Sequence, residues 1–211
     1  MNETQQYIHD IVHNKITAVI DLKDEAGEVI GKLVPLTIRH LDDHDVIEKM
    51  TEWRNANMGF FLTHFTATAE RTRNWLANVV FKNPTQLMFL IYSQDQLIGH
   101  FGFKDLRDDE VLLDNAMRGE RGGHPKLLPV AGRTLIDWLF EKTKVSTVYG
   151  YVLTTNAAAI MLNRAMGFGL WEKYPLIKSD HNGEARWDIG KKGEVSNDNS
   201  YCYRVEATRK G

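Results

Sequence analysis

A basic, glycine-rich loop set between a strand and a helix constrains this chain more than any other feature. Residues 114–127 read Asp-Asn-Ala-Met-Arg-Gly-Glu-Arg-Gly-Gly-His-Pro-Lys-Leu and join a strand-like run at 110–117 to a helix-like run at 124–142. Gly119, Gly122 and Gly123 let backbone amides approach a ligand with no side chain in the way. A helix start adds unpaired N–H groups and the positive end of a dipole, which together favour an anion. Pro125 suits the first helical turn, where its missing N–H costs nothing. Arg118, Arg121 and Lys126 bring positive charge to the same spot, and His124 is placed to cap the helix or touch phosphate. The loop reads as a phosphate cradle that begins at Met117. No Gly-Lys-Ser/Thr follows the glycines, which excludes a P-loop, and their spacing is not the G-x-G-x-x-G of a dinucleotide site. On the loop alone, an ordinary glycine-rich strand-to-helix turn stays open as the alternative.

The segments downstream narrow the choice. A strand-like run at 147–153 leads to Thr154-Thr155-Asn156, then a short helical pattern at 157–165 ends at Met166-Gly167-Phe168-Gly169. The order of strand, basic glycine loop, helix, strand, Asn, short helix and Gly-Phe resembles the GCN5-related N-acetyltransferases (GNAT). The resemblance spans roughly residues 33–177. It implies a single α/β domain whose mixed, mainly antiparallel sheet of about six or seven strands is splayed between 110–117 and 147–153 and flanked by helices. It also implies acetyl-coenzyme A as acetyl donor. The pyrophosphate would lie on residues 117–126, the pantetheine arm between the splayed strands, and Asn156 against that arm.

The front of the chain agrees with this. Leu33-Val34-Pro35-Leu36-Thr37, followed by a polar helical stretch to Glu52-Trp53-Arg54-Asn55, is similar to the branch that acetylates protein N-termini and amino sugars. Phe60-Phe61-Leu62-Thr63 and the helical run at 70–80 would then shape the acceptor pocket, with Trp53, Arg54, Phe61 and His64 as its candidate residues. The pair Asp114-Asn115 ahead of Arg118-Gly119 looks most like acetyltransferases of bacterial surface polysaccharides. Two departures from the family stand out. The usual loop runs Gln/Arg-x-x-Gly-x-Gly/Ala, whereas here Arg121 takes the first glycine's place and only Gly123 falls in register. Many members also carry a tyrosine seven residues after the helix-opening Asn, able to protonate the leaving thiolate. That position is Asn163, whose amide is no proton donor for acid catalysis.

Composition limits the remaining classes. A chain of 211 residues, 43% hydrophobic and 26% charged, holds one sizeable core. A net charge of −2 argues against a nucleic-acid partner. No apolar run approaches the roughly 18–20 residues of a membrane span. The polar opening at 1–16 lacks a secretion signal's pattern, and one cysteine, Cys202, fits a reducing cytoplasm. An isolated cysteine in a strand pattern is expected to pack inside.

The first 32 residues read as an extension carrying a hairpin, with strands at 15–20 and 28–36 around Asp24-Glu25-Ala26-Gly27, ahead of an acetyltransferase domain at 33–211. Helices are expected at 42–57, and at 69–80 with Trp75, Leu76 and Val79 buried. A hairpin is expected at 86–92 and 96–103, with further strands at 186–189 and 201–205. Residues 191–200 read as a polar, mobile loop. Helix 124–142 presents Leu127, Ala131, Leu135 and Trp138 at helical spacing.

Amide formation from a thioester needs an acceptor amine freed of its proton, a donor for the developing oxyanion, and reactants held together. Asp114 is the leading candidate base, with bracing of Asn115 or the loop arginines as its alternative role. Asn163 stands where the family's acid would. His64 and His100 are further titratable candidates, although His100 inside a strand pattern reads as a core histidine. Tyr149 and Tyr151 lie on the strand expected to line the cleft. No Cys/His cluster has metal-ligand spacing, so no metal is expected. The expected acceptor is a small-molecule primary amine, foremost an amino sugar or its nucleotide-linked form. A protein N-terminus is the second reading and a non-catalytic acyl-CoA-binding module the third. The resemblance leaves room for a homodimer.

Overall fold

The computed structural model describes residues 1–209. Helix α1 (Glu3–Val12) opens with a capping box: Asn2 Oδ1 accepts from the Gln5 amide at 2.8 Å, and Gln5 Oε1 accepts from the Asn2 amide at 3.1 Å. It buries Ile8, Ile11 and Val12 in the common core and stacks Tyr7 on Trp138. Strands β1 (Ile20–Lys23) and β2 (Val29–Pro35) form the expected hairpin, with the first strand five residues later than its apolar pattern suggested.

Next come α2 (His44–Ala56), the two-residue strand β3 (Thr63–His64) and α3 (Ala69–Trp75), which runs on into a π-helical turn at Leu76–Val80. In that turn the Phe81 amide reaches back five residues to the Leu76 carbonyl. The wider turn rotates the helix by part of a residue, so Val80 is buried where Val79 was expected, and Val79 is exposed. The hairpin β4 (Leu87–Ser93) and β5 (Gln96–Lys104) leads to β6 (Glu110–Arg118), α4 (Leu127–Lys142), β7 (Thr147–Leu153) and α5 (Ala157–Met166). Strands β8 (Leu170–His181), β9 (Glu184–Ile189) and β10 (Tyr201–Thr208) complete the chain.

Ten strands, not seven, form one sheet in the order β1-β2-β4-β5-β6-β7-β10-β8-β9-β3. All neighbours are antiparallel except β6 and β7. Helices cover both faces. Along β5 the side chains alternate: His100 meets Trp53 of α2 with ring centroids 6.0 Å apart, whereas Phe103 meets Trp138 of α4 at 6.1 Å. Leu127, Ala131, Leu135 and Trp138 are all buried, as their spacing required. Helix α4 starts at Leu127, three residues after the expected His124. Residues 191–200 are tied down, since Trp187 Nε1 donates to Asp198 Oδ2 at 2.6 Å and Asn197 exchanges two hydrogen bonds with the backbone of Lys178.

Candidate active site

Strands β6 and β7 pair only at Glu110–Thr147, Val111–Val148 and Leu112–Tyr149. Asn115 then adopts φ +56°, a left-handed conformation that asparagine tolerates better than most residues. It inserts a bulge against β5 between the partners His100 and Gly102, and a bulge bends its strand. His100 Nδ1 holds the bulge by donating to the Asn115 carbonyl at 2.8 Å. Burial pushes the His100 pKa down to about 4, against the opposing pull of that carbonyl and of Asp114, so the ring is neutral at physiological pH. The gap between the strands opens at Gly150, where a Cβ would lie 3.7 Å from the Leu113 carbonyl and 3.9 Å from Asn163 Oδ1. The opened sheet expected between 110–117 and 147–153 is therefore present.

The loop above the gap divides into two parts. Met117 is buried and pairs with His100. The amides of Gly119 and Glu120 both bond the Ile98 carbonyl at 2.9 Å, so Gly119 has no amide to offer a phosphate. Gly119 is glycine for a packing reason instead, because a Cβ would come within 1.9 Å of the Trp53 indole. The Arg118 guanidinium donates to the Gly122 carbonyl and so folds the loop on itself. Gly122 and Gly123 take φ +123° and +64°. Among the described residues the amides of Arg121, Gly122, Gly123 and His124 have no protein acceptor, and consecutive free amides make an anion-binding concavity. Arg121 is exposed without an ion-pair partner among these residues. His124 Nδ1 accepts from the Lys126 amide at 3.2 Å just ahead of α4, which has no side-chain cap, while Lys126 Nζ pairs with Glu25 of the N-terminal hairpin at 3.0 Å. A cavity of about 510 Å³ lies on the hairpin side of Gly123 and His124, bordered by Asp21, Lys32 and Ser93.

Asn156 is the N-cap of α5, its Oδ1 accepting from the Ala159 amide at 3.0 Å. Asn163 Nδ2 donates back to the Ala159 carbonyl at 2.8 Å, which leaves Oδ1 turned to Gly150 and the gap. On β6, Asp114 Oδ2 pairs with Lys104 Nζ at 2.7 Å and accepts from Asn115 Nδ2 at 3.2 Å. Its other oxygen makes no hydrogen bond among the described residues.

Sequence reasoning missed an ionic cluster that joins β6 to β10. Arg204 of β10 pairs with Glu206 at 2.7 Å and Glu110 at 3.2 Å, its guanidinium 4.1 Å from the Tyr149 ring centroid. Burial works against its charge, yet the bonds to Glu206, Tyr151 and Glu110 raise its pKa above the ordinary arginine value. Tyr149, Tyr151 and Tyr174 stand edge-on in a row, at 5.9 and 6.4 Å. Only the pairing of β7 with β10 brings Glu110 and Arg204 together, and no local pattern signals that.

The acceptor-pocket candidates separate. Trp53 is 4% exposed, packed under Gly119, with Nε1 donating to Glu120 at 3.1 Å. It supports the loop and walls no open pocket. Arg54 and Phe61 do meet: the guanidinium lies 3.9 Å from the Phe61 ring and 4.5 Å from Phe65, and donates to the Thr63 carbonyl at 2.6 Å. Burial, then the nearby charge of Arg71, lowers the Arg54 pKa. His64 packs against Trp187 at 4.5 Å. Cys202 is buried with its thiol pushed up to about 11, which makes it no nucleophile.

A sheet opened between two parallel strands, with free amides at the mouth and a helix-capping asparagine beside it, fits a long acyl thioester with phosphates at its far end. This architecture defines a coenzyme A-dependent acyltransferase. Residues 35–169 match the family described as acetyltransferase (GNAT) domain, and the chain belongs to that family as an acetyl-CoA-dependent N-acetyltransferase. The reading as a non-catalytic binding module is thereby set aside.

Solved structures with the same fold include the RimL ribosomal L7/L12 alpha-N-protein acetyltransferase in complex with coenzyme A. That structure has TM-score 0.65 and 11% identity, covering 90% of this chain and 98% of that one. The microcin C7 self-immunity acetyltransferase MccE, in complex with acetyl-CoA and AMP, has TM-score 0.61 and 9% identity over 85% and 92%. The Vibrio cholerae spermidine N-acetyltransferase, with CoA and spermine, has TM-score 0.58 and 14% identity over 85% and 95%. No curated protein sequence matches the chain. Among the described residues, no helix is long and apolar enough to cross a membrane and no group of three or more His, Cys, Asp or Glu could hold a metal ion.

Proposed function

We propose that this chain transfers acetyl directly to the primary amine of an amino sugar, in nucleotide-linked form, during bacterial surface-glycan synthesis. The observation that carries the direct-transfer reading is the gap at Gly150, bordered by Leu113 next to Asp114 on β6, with the single cysteine buried. When bound, acetyl-CoA supplies the activated acetyl group. The Arg121–His124 amides and the Arg121 side chain hold its phosphates, and Asn156 and Asn163 line the arm's path. The free oxygen of Asp114 takes the proton from the acceptor ammonium, while Lys104 and Asn115 fix the carboxylate. Tyr151 and Tyr174, partly exposed, offer aromatic surface and hydroxyls to a sugar, and MccE, of the same fold, is solved in complex with acetyl-CoA and AMP.

The likeness to a ribosomal-protein acetyltransferase over nearly its whole length favours a protein N-terminus as the second reading. Thiol release from acetyl-CoA, measured against amino sugars, nucleotide-linked amino sugars and N-terminal peptides, decides between them. Turnover confined to peptides would replace the sugar reading.

A further inference from the structure

The β3–β9–β8 wing has a charge account that does not close. The pairings Thr63–Arg186 and Ser179–Arg186 put Thr63, Arg186 and Ser179 in one cross-strand row, and strand alternation sends their side chains to one face. Phe61 and Phe65 lie two residues either side of Thr63 and share that face, with Arg54 stacked between them. Arg71 stacks on Phe65 at 3.5 Å and grips Glu184 through two bonds of 2.6 and 2.9 Å. Arg186 pairs with Asp188 at 2.8 Å. Three arginines thus meet two carboxylates, and Arg54 is the one left over. It makes no ion pair among the described residues, and its Nη1 is shut from solvent without an acceptor.

A second atom independently shares this condition. Among the described residues only two buried side-chain polar atoms lack a partner, Arg54 Nη1 and Ser179 Oγ. Ser179 belongs to this row, and Arg54 of α2 reaches its other end through the Thr63 carbonyl. Buried unpaired donors are costly and rare in folded proteins, so two of them on one face mark a place for an acceptor group that neither the strands nor the helices provide. Helix α2 links the site to the β6 bulge, because its last turn carries Trp53, 6.0 Å from the His100 ring that holds the Asn115 carbonyl, and Arg54 on the wing.

We infer that Arg54 and Ser179 bind an oxyanionic group, phosphoryl or carboxylate, carried by the acceptor molecule away from its amine. This specificity site rests on the acetyltransfer reading. Admission of the group requires the strap at 58–65 to shift, because Phe61 and Phe65 lie over the guanidinium. The free Nη1 arm of Arg54 and the Ser179 hydroxyl would each take a different oxygen of one group once the strap has moved, whereas a polycationic acceptor would be repelled by the uncompensated charge.

The test uses matched amines, glucosamine against glucosamine 1-phosphate, and 4-aminobutyrate against butylamine, in a thiol-release assay with acetyl-CoA. The wild-type enzyme is expected to favour one anionic partner by tenfold or more in kcat/KM, and whether phosphate or carboxylate gains more identifies the group. Arg54→Gln and Ser179→Ala should each lower that preference at least fivefold. Ser179 has no partner to lose, so its variant separates recognition from folding. A wild-type enzyme indifferent to the anion, or variants that slow both members of a pair equally, would overturn the inference. If no amine releases thiol, the acetyltransfer reading fails on its own. Calorimetric titration of the CoA-saturated protein with glucosamine 1-phosphate then decides this site. Binding weakened at least fivefold in both variants upholds it, and binding absent from the wild type or equal in the variants removes it.

Discussion

Acid should loosen this protein through one ring. His100 is 5% exposed, and its pKa of about 4 lies below its ordinary value of 6.5. The folded state therefore binds fewer protons than the unfolded state between these two values, and stability rises with pH across that window. The contribution is complete above pH 6.5 and drains away as pH falls to about 4. A gap of two to three pH units, at about 1.4 kcal/mol each, amounts to about 3 kcal/mol by pH 4. The Asn115 carbonyl and Asp114 oppose the loss, while burial against Trp53 drives it. Urea unfolding of wild type and His100→Gln at intervals from pH 8 to pH 4 gives the difference directly. Glutamine can still donate to the Asn115 carbonyl and does not titrate, so the two stability curves should converge by about 3 kcal/mol on acidification. Curves that stay parallel would refute the argument and place the ring's proton uptake outside the measured range.

Further substitutions probe the loop and the gap. Gly119→Ala drives a methyl into the Trp53 indole; it should cost about 1–3 kcal/mol in urea unfolding and raise the Michaelis constant for acetyl-CoA. Arg121→Ala should raise that constant about tenfold with no change in melting temperature, since a charged hydrogen bond is worth about 1.5–3 kcal/mol, whereas Arg118→Ala should also make the loop open to proteolysis. Asp114→Asn should cut kcat by about 10²–10⁴-fold and remove the acidic limb of the pH–rate profile; weaker acetyl-CoA binding with an unaltered profile would reassign Asp114 to bracing. Asn163→Tyr should keep or raise turnover in steady-state assays, and its complete inactivation in a folded protein would give Asn163 a hydrogen-bonding task of its own.

The centre of the fold was legible because its signals are local. Asn156 before an apolar helix, Gly167 after it, and the stripe Leu127–Ala131–Leu135–Trp138 each declare an element without help from distant residues. The N-terminal helix was equally declared, since Asn2 and Gln5 form a capping box, but the polar run of 1–16 was read for secretion and not for helix. Strand β8 hid because Pro175 and Leu176 are both buried and break its alternation. The loop's chemistry was half legible: glycines and charge marked an anion site, yet nothing local reveals that Gly119 yields to Trp53 or that Arg118 turns inward. Arg204 joins Glu110 only through strand pairing across 94 positions, and the surplus charge at Arg54 appears only once Glu184 and Asp188 have been spent on its neighbours.

Strand β10 is hydrogen-bonded to β7 on one side and β8 on the other, so residues 201–208 lie mid-sheet. As the chain leaves the ribosome, the sheet from β1 to β7 can assemble while the β8–β9 arm is tied to the earlier chain only through the two-residue strand β3. Until β10 arrives, β7 and β8 each present an open edge, the condition under which strands seek partners in other chains. The seam buries Cys202 and positions Arg204, so closing it also brings Arg204 to Glu110. A newborn copy thus passes through an interval with two strand edges unpaired, and it is then that association with another chain is most exposed.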